Sequence, residues 1–454
     1  MSFNPIFKTL NESQLFKIAM QSLTSSFPSA VAVAAAVGYL SCPEVLLSMP
    51  GGSSSLLSFV TGSTCLTGSL RFNRAGQSIL SSLAPQEGHR GNCNRLVRKC
   101  HRFVGTKMAA ERYEQDHGDQ VDEESDEGSA ERSNWRSSTS PLLFKFGIVA
   151  DIQYADVNDG RGFSGRARYY RNSLVSLAKT VNTWNRVGAE FGVHLGDIID
   201  GCCPRDLSDG ALQEVTAILD LWPRRMHHLV GNHCLYNHSR ETLTTRLGMA
   251  SPEESCAYYD YTHKGVRFVA LDGYDISVDG WPPGHPKRKA AQKILDKHNP
   301  NENQNDPSGL DGLSRRFVRF NGAVGSRQMA WLEEVLADAR GAGQKVIVFS
   351  HEPVHPRVSN PVCLLWNYAE VLNLLNEHSD VVVACFAGHA HQGGYVYDKR
   401  IHHRVVEAMV EAAPDMGGTH AVVEVYSDRL VLNGDGAVRS SVLPFDRISP
   451  TPWS

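Results

Sequence analysis

The 454-residue chain carries no excess of positive charge: 45 Lys and Arg against 49 Asp and Glu leave a formal net charge of −4. A nucleic-acid binder needs a basic footprint to neutralise phosphates, so no nucleic-acid partner is expected. No apolar run is long enough to span a bilayer either. The longest, "SAVAVAAAVGYLSC" from Ser29 to Cys42, falls short of the roughly 18 residues a crossing helix needs, and no membrane partner is expected. The ten cysteines form no C-x-x-C pair, and only Cys202 and Cys203 are adjacent. That argues against zinc ribbons and redox dithiols and for a reducing compartment.

What is present is a chain 41% hydrophobic, enough for a large core, divided by composition into three parts. Residues 1–107 are Ser-rich and basic: ten Lys and Arg, from Lys8 to Lys107, stand against only Glu12, Glu44 and Glu87. This bias fits an organellar transit segment, which implies a plastid or mitochondrion. The other reading is a mostly disordered extension with no address, which leaves the protein cytoplasmic and makes Met108 a candidate start. Residues 108–140 contain the acidic run "ERYEQDHGDQVDEESDEGSAE", too poor in apolar groups to offset its ordering entropy, and expected to be a disordered linker. The folded domain is expected over 141–454.

Within it, short apolar runs recur and each ends in a polar cluster: "LLFKFGIVAD", "FGVHLGD", "MHHLVGNH", "GVRFVALDGYD", "QKVIVFSHEP" and "VVVACFAGHAH". Between several lie segments of helical spacing, "YYRNSLVSLAKTVNTWNRV" and "SRQMAWLEEVLADAR". The alternation predicts an α/β domain with the polar clusters gathered at one edge of its sheet. The tail "THAVVEVYSDRLVLNGDG" predicts two strands joined by a turn, hence a mixed sheet. Residues 281–325, rich in Pro, Asn and Gly, form an insertion long enough to be a functional lid.

Five strand ends carry residues able to bind metal: Asp151 and Gln153, Asp197, Asn232 and His233, His351, and finally His389 and His391. Singly, each is more often a cap, a turn former or a satisfied polar group. Together they supply two carboxylates, two amides and three imidazoles, with His233 besides. That set suffices for two neighbouring divalent ions sharing one ligand, an arrangement that stabilises both attacking and leaving oxygens of a phosphoryl displacement.

The order of motifs resembles the calcineurin-like metallophosphoesterases, whose pattern runs D-x-H, GD-x-x-D, GNH, H and GH-x-H. The resemblance implies a four-layer αββα sandwich of mixed β-sheets with flanking helices. It also implies one ion held by Asp151, Gln153 and His391, a second by Asn232, His351 and His389, and Asp197 bridging them. His233 is then the catalytic non-ligand that donates to the phosphate or protonates the leaving group, a role suited to imidazole. Gly196, Gly231 and Gly388 leave room beside the ligands.

Gln153, where imidazole is usual, narrows the resemblance. With "YYRNSL", "LGDIIDG", "GNHCLYN", "LDGYDISV", "VCLLWNY", "FAGHAHQGGY" and "EAAPD", the chain over roughly 142–440 is similar to the manganese-dependent ADP-ribose/CDP-alcohol diphosphatases. Ala390 departs from the Thr usual in "GHTH". An amide oxygen is harder than an imidazole nitrogen and tilts its site from zinc towards Mn²⁺, with Mg²⁺ as second choice. The resemblance implies a monomer that takes small nucleotide diphosphate derivatives. ADP-ribose would yield AMP and ribose 5-phosphate; CDP-choline or CDP-glycerol would yield CMP and a phospho-alcohol. Phe163, in the "DGRGFSGR" loop, is a candidate to stack the base, and Cys363 to line the same pocket. The alternatives are a phosphomonoesterase or cyclic-nucleotide phosphodiesterase on the same core, or a scaffold, which should lack ligands. None is missing.

Overall fold

The computed structural model describes residues 140–249 and 255–445, together with the backbone of four strands nearer the N-terminus. These strands, β1 (Val45–Leu47), β2 (Ser54–Thr61), β3 (Thr64–Phe72) and β4 (Ser78–Pro85), pair in sequence order as an antiparallel sheet. They belong to a unit spanning Met1–Asp126, and a second unit spans Glu127–Ser454. The rest of the basic extension, and the acidic linker up to residue 139, lie outside the described residues. No described helix is long and apolar enough to cross a membrane.

The second unit starts with β5 (Leu142–Val149), the short hairpin β6 (Gly160–Arg161) and β7 (Ala167–Arg168), and α1 (Asn172–Val187). It continues through β8 (Phe191–His194), α2 (Ser208–Leu219), β9 (Arg225–His228), α3 (Asn232–Asn237), α4 (Arg240–Arg246), β10 (Tyr259–His263) and β11 (Val266–Ala270). Then come α5 (Pro286–His298), α6 (Ser326–Gly341), β12 (Lys345–Ser350), α7 (Tyr368–Glu377) and β13 (Val382–Ala387). The strands β14 (Gly394–Asp398), β15 (Ile401–Val405), β16 (His420–Tyr426), β17 (Arg429–Asp435) and β18 (Ser441–Pro444) complete it.

Two six-stranded mixed sheets result, ordered β18-β17-β16-β5-β8-β9 and β10-β11-β12-β13-β15-β14. In the first, β5, β8 and β9 are parallel, and in the second β11, β12, β13 and β15 are. The remaining pairs are antiparallel, including the β16–β17 hairpin expected from the tail. The sheets share one apolar layer, in which Phe144, Phe146 and Phe191 of one meet Phe268, Phe349 and Phe386 of the other. Phe146 and Phe191 stack 5.1 Å apart within it. On the outer face of the first sheet, Leu177, Val181 and Trp184 of α1 pack with Leu212 and Val215 of α2. Leu332 and Leu336 of α6 and Val371 and Leu375 of α7 cover the second sheet. This is the expected four-layer αββα sandwich. The six apolar runs are continuous because their strands are buried on both faces.

Gly147 and Gly192 show how closely α1 docks. A Cβ on Gly147 would lie 2.2 Å from the Trp184 ring, so the indole occupies the space those side chains give up. A buried Trp of this kind contributes about 3–5 kcal/mol against truncation to alanine.

The insertion is more ordered than its composition suggests. Pro286 sits in the first turn of α5, where its fixed φ and missing N–H cost nothing, and His285 caps that turn by accepting from the Lys287 N–H at 3.2 Å. Ala291 and Leu295 of the helix join Val278, Phe317, Ala323 and Trp366 in a small core of their own.

Candidate dimetal centre

The parallel strands bring their C-terminal ends to one edge of the sandwich, where ligands commonly bind in open α/β sheets. Asp151 and Gln153 follow β5, Asp197 follows β8, Asn232 follows β9, His351 follows β12, and His389 and His391 follow β13. Asp151, Gln153, Asp197, Asn232 and His351 are buried, while His233, His389 and His391 are partly exposed. The carboxylates and amides therefore form a floor beneath an imidazole rim.

The backbone at this edge is strained. Of eight non-glycine residues at positive φ among those described, four are Asp151 (51°), Gln153 (43°), Asp197 (61°) and His389 (63°). Each such conformation costs about 1–3 kcal/mol, a total comparable with the stability of a typical domain, so it persists only where the surroundings fix it. The fixing bonds are visible. Asp151 N donates to Gly196 O at 3.2 Å, Gln153 N to Asp197 O at 2.9 Å, and His389 N to Asp151 Oδ2 at 3.1 Å. Close approach also requires glycine. A Cβ on Gly231 would stand 2.1 Å from Asp197 Oδ1, and one on Gly196, at φ 105°, would stand 2.4 Å from His351 Nδ1.

Two groups of donors meet at Asp197. On one side Asp197, His351 and His389 each offer a ligand atom within 4.8 Å of the others. On the other, His391 Nε2 lies 3.4 Å from Asp151 Oδ1 and 3.1 Å from the Gln153 amide, which is 3.2 Å from Asp197 Oδ2. Asn232 presents its Oδ1 to the Tyr274 hydroxyl at 3.4 Å and donates through Nδ2 to Tyr236 Oη at 3.1 Å.

The donor set fits divalent cations. Gln153 Oε1 is buried without a hydrogen bond, and so is His351 Nε2, which lies 3.3 Å from Asp197 Oδ2 without hydrogen-bond geometry. Buried polar atoms are rarely left so, and cations would satisfy both. Amide O and N are interchangeable by a half-turn, which exchanges the Gln153 NH₂ for its oxygen facing Asp151, Asp197 and His391. The imidazoles are oriented for the task. His351 Nδ1 donates to Leu195 O at 2.7 Å, leaving Nε2 for a metal. His389 Nε2 is engaged by Asn321 Oδ1 at 2.9 Å, leaving Nδ1. His391 Nδ1 bonds Glu411 Oε1 at 2.8 Å, leaving Nε2.

Electrostatics report a site crowded with charge that metals would balance. Burial alone would lower the His351 pKa, but Asp197 and Asp151 outweigh it and hold it at about 9. His391 follows the same logic: burial is outweighed by Asp151 and Glu411, giving about 9. Burial raises Asp197, yet His351, His233 and His389 together hold it well below the carboxylate range. Beside His351, burial pushes the Glu352 carboxyl up to about 8 despite the Gly322 N–H it accepts, so at neutral pH it adds little negative charge.

His233 stands slightly apart, at the start of α3. Its backbone N–H donates to Asp197 Oδ1 at 2.8 Å, tying it to the floor. Its Nδ1 accepts from Gly201 N–H at 2.7 Å, so the neutral ring carries its proton on Nε2. Asp200 Oδ2 lies 3.4 Å from the same Nδ1. Burial opposes ionisation of Asp200, but His233, the Cys202 N–H and Arg168 hold its pKa at about 2. Asp200 thus accepts the Cys202 N–H of the following turn and stands behind His233.

Phe163 lies at the tip of the β6–β7 hairpin, 74% exposed, its ring 6.3 Å from that of Phe320. Phe320 in turn lies 5.8 Å from His389, so two aromatic rings lead from solvent to the donors. Cys363 is partly exposed. Burial, then the nearby Asp151 and Glu352 carboxylates, pushes its thiol up to about 12, which makes it a small apolar wall and not a nucleophile.

Sequence reasoning missed several participants. Glu411, in a short 3-10 turn, orients His391 and pairs with Arg166 at 2.5 Å. Its string "EAAPD" was distinctive, but nothing in it marks a partner 20 residues upstream. Phe320, Asn321 and Gly322 come from the insertion, whose lack of periodicity hid them. Arg166 has its guanidinium on Glu411, and Arg171 pairs with Asp156 at the surface.

Comparison with known proteins agrees with this geometry. The calcineurin-like phosphoesterase family matches residues 144–393. The manganese-dependent ADP-ribose/CDP-alcohol diphosphatase of Arabidopsis thaliana is 44% identical over 310 residues, 67% of this chain and 98% of the relative. That of Homo sapiens is 37% identical over 332 residues, 68% of this chain and 95% of the relative. Among solved structures, a dimetal phosphatase from Danio rerio superposes with a TM-score of 0.65 at 38% identity, covering 67% of this chain and all of that one. With the motif order, the sandwich and the donors at its edge in agreement, the chain belongs to the calcineurin-like phosphoesterases and, within them, to the manganese-dependent ADP-ribose/CDP-alcohol diphosphatase family.

Proposed function

We propose that this protein hydrolyses the pyrophosphate bond of ADP-ribose to AMP and ribose 5-phosphate, and of CDP-alcohols such as CDP-choline or CDP-glycerol to CMP and a phospho-alcohol. The carrying observation is that Gln153, His351 and His389 meet at Asp197, an amide among them. Asp151, Gln153 and His391 would hold one ion, Asn232, His351 and His389 the other, and Asp197 would bridge them. Mn²⁺ suits the oxygen-rich set, with Mg²⁺ the second choice. Two ions bound there supply Lewis-acid charge to the phosphoryl oxygens and acidify water.

The protein's own residues do the rest. His233 aims its Nε2 proton at the oxygen that departs, held in that tautomer by Gly201 N–H. Phe163 and Phe320 offer faces for a nucleobase, and Cys363 narrows the space beside it. Six of the ten cysteines are described and no disulfide joins them, which suits the cytoplasm, with plastid or mitochondrion following if residues 1–107 are a transit segment. The reading takes the protein as a monomer.

A substrate panel tests it. Purified protein with Mn²⁺ should release AMP from ADP-ribose and CMP from CDP-choline or CDP-glycerol. Release of phosphate from a simple monoester with those substrates left intact would refute the assignment.

A further inference from the structure

A cavity of 340 Å³ opens beside His233, and none of the roles assigned so far uses it. Its wall includes Arg205, Tyr236, Asn305, Asp279 and Arg319, the last two paired with each other. Gly201 also lines it. Two of these residues touch the His233 ring directly: Gly201 N–H donates to its Nδ1, and the Tyr236 ring stands 5.4 Å from it. Tyr236 also accepts from Asn232, so one wall of the cavity is continuous with the metal-binding floor.

Resting on the proposed diphosphatase reading, we infer that this cavity receives the half of the substrate that departs, a phosphate carrying a sugar or short polyol, and that Arg205 and Arg319 select for its phosphate. In the reaction the water oxygen forms a bond to the nucleoside-side phosphorus while the bridging P–O bond breaks. The electron pair stays on the departing phosphate oxygen, and His233 supplies its proton. The departing half therefore lies against the His233 ring, and the cavity adjoins the same ring along its Nδ1 edge, through Gly201, and across from the Tyr236 ring. The nucleoside half is left to Phe163 and Phe320.

Charge and size agree. Ions held by the floor would neutralise the phosphoryl group under attack, but the second phosphate leaves as an anion and needs cations of its own. Arg205 is exposed and pairs with no acidic side chain among the described residues. Arg319 is partly held by Asp279, with contacts of 2.8 and 3.3 Å, and its guanidinium still has N–H groups to offer. Guanidinium matches phosphate in shape and bidentate geometry, which an ammonium does not. The exposed Asn305 amide can meet hydroxyl groups. A volume of 340 Å³ is at the small end for a small-molecule site and has room for a phosphorylated sugar or polyol. Arg319 and Phe320 are adjacent, so one short stretch of the insertion faces both halves of the substrate.

The test compares full-length protein with Arg205→Ala and Arg319→Lys on three substrates: ADP-ribose, CDP-glycerol and thymidine 5′-(p-nitrophenyl) phosphate, whose leaving group carries no second phosphate. For each variant, kcat/KM on the two diphosphates should fall at least about ten-fold relative to the nitrophenyl ester, chiefly through KM. Arg205→Ala breaks no ion pair, so a folding defect cannot imitate the result. In ¹⁸O-labelled water the label should enter AMP or CMP and not the other product. Equal loss on all three substrates, no loss, or label in the departing half overturns the subsite. Wild-type protein that leaves both diphosphates intact overturns the underlying reading as well, and the two failures are thereby told apart.

Discussion

The floor of the site sits on strand ends, whereas its rim sits on a hairpin, the loop before α2 and an insertion. The floor residues Asp151, Gln153, Asp197 and His351 are buried to 0% exposure, and backbone bonds hold the first three at positive φ, a conformation that costs energy. The rim residues Phe163 and Arg205 are exposed, and Arg319 is half-exposed. Chemistry that must hold charged groups within tenths of an ångström is placed where the sandwich is rigid; recognition that must fit one alcohol or another is placed where loops can vary. If this division is real, substitutions on the floor should change metal content or rate, and substitutions on the rim should change which substrate is used.

His233→Ala should give the largest effect, because the residue belongs to neither part alone: its ring reaches the rim while its backbone N–H, which alanine keeps, is tied to Asp197. Loss of a positioned proton donor costs about 10²–10⁴-fold in rate. Metal analysis of the variant should still find close to two ions per chain. A variant with wild-type kcat would remove the imidazole from proton transfer, and one that had lost its metals would move His233 into the floor.

Glu411→Ala comes next. Glu411 touches no substrate but fixes the His391 ring, and removing an outer partner of this kind costs about 10–100-fold in metal affinity. Titration of the metal-free variant with Mn²⁺ should show that weakening, with most of kcat recovered at saturation. Failure to recover at any Mn²⁺ concentration would give Glu411 a direct part in the reaction.

The same floor predicts a pH dependence. His351 and His391 have folded pKa values of about 9, above their ordinary 6.5, so the metal-free protein gains stability from their pairing with Asp197 and Asp151. That gain is complete below about 6.5 and is lost as pH rises through about 9. Metal requires the same nitrogens deprotonated, so its affinity rises over the same window. The difference in Tm between Mn²⁺-loaded and metal-free protein should therefore widen from pH 6.5 to 9. A constant difference would mean that the imidazoles are not charged in the metal-free state.

How much of this was legible in the sequence follows the same division. Each floor residue sits where a continuous apolar run meets a polar cluster, a signal local enough to read, and the two layers of strands and helices follow from the alternation. The left-handed backbone at Asp151 and Gln153 was not legible, because no glycine marks it and the surrounding bonds, not the residue type, impose it. Glu411 and Asn321 were missed for a related reason: each meets its histidine only through the fold, from a 3-10 turn or an insertion with no periodic pattern. The helix in that insertion was hidden by the Pro-rich run that in fact begins it.

The smallest expected effect concerns the residue that narrowed the family. Gln153 faces Asp151, Asp197 and His391, and its Oε1 is the donor atom with nothing to bond. Gln153→His would set an imidazole nitrogen where an amide oxygen is available, leaving the charge count unchanged. Two ions should still bind, because six other donors remain, but the preference should move from Mn²⁺ towards zinc by about ten-fold or less, since nitrogen is the softer ligand. Competition of Mn²⁺ and Zn²⁺ for the metal-free variant measures this without reference to turnover. If the variant keeps the wild-type preference, then selection of Mn²⁺ lies with the carboxylates and Asn232, and the amide at this position sets the shape of the floor and not its metal.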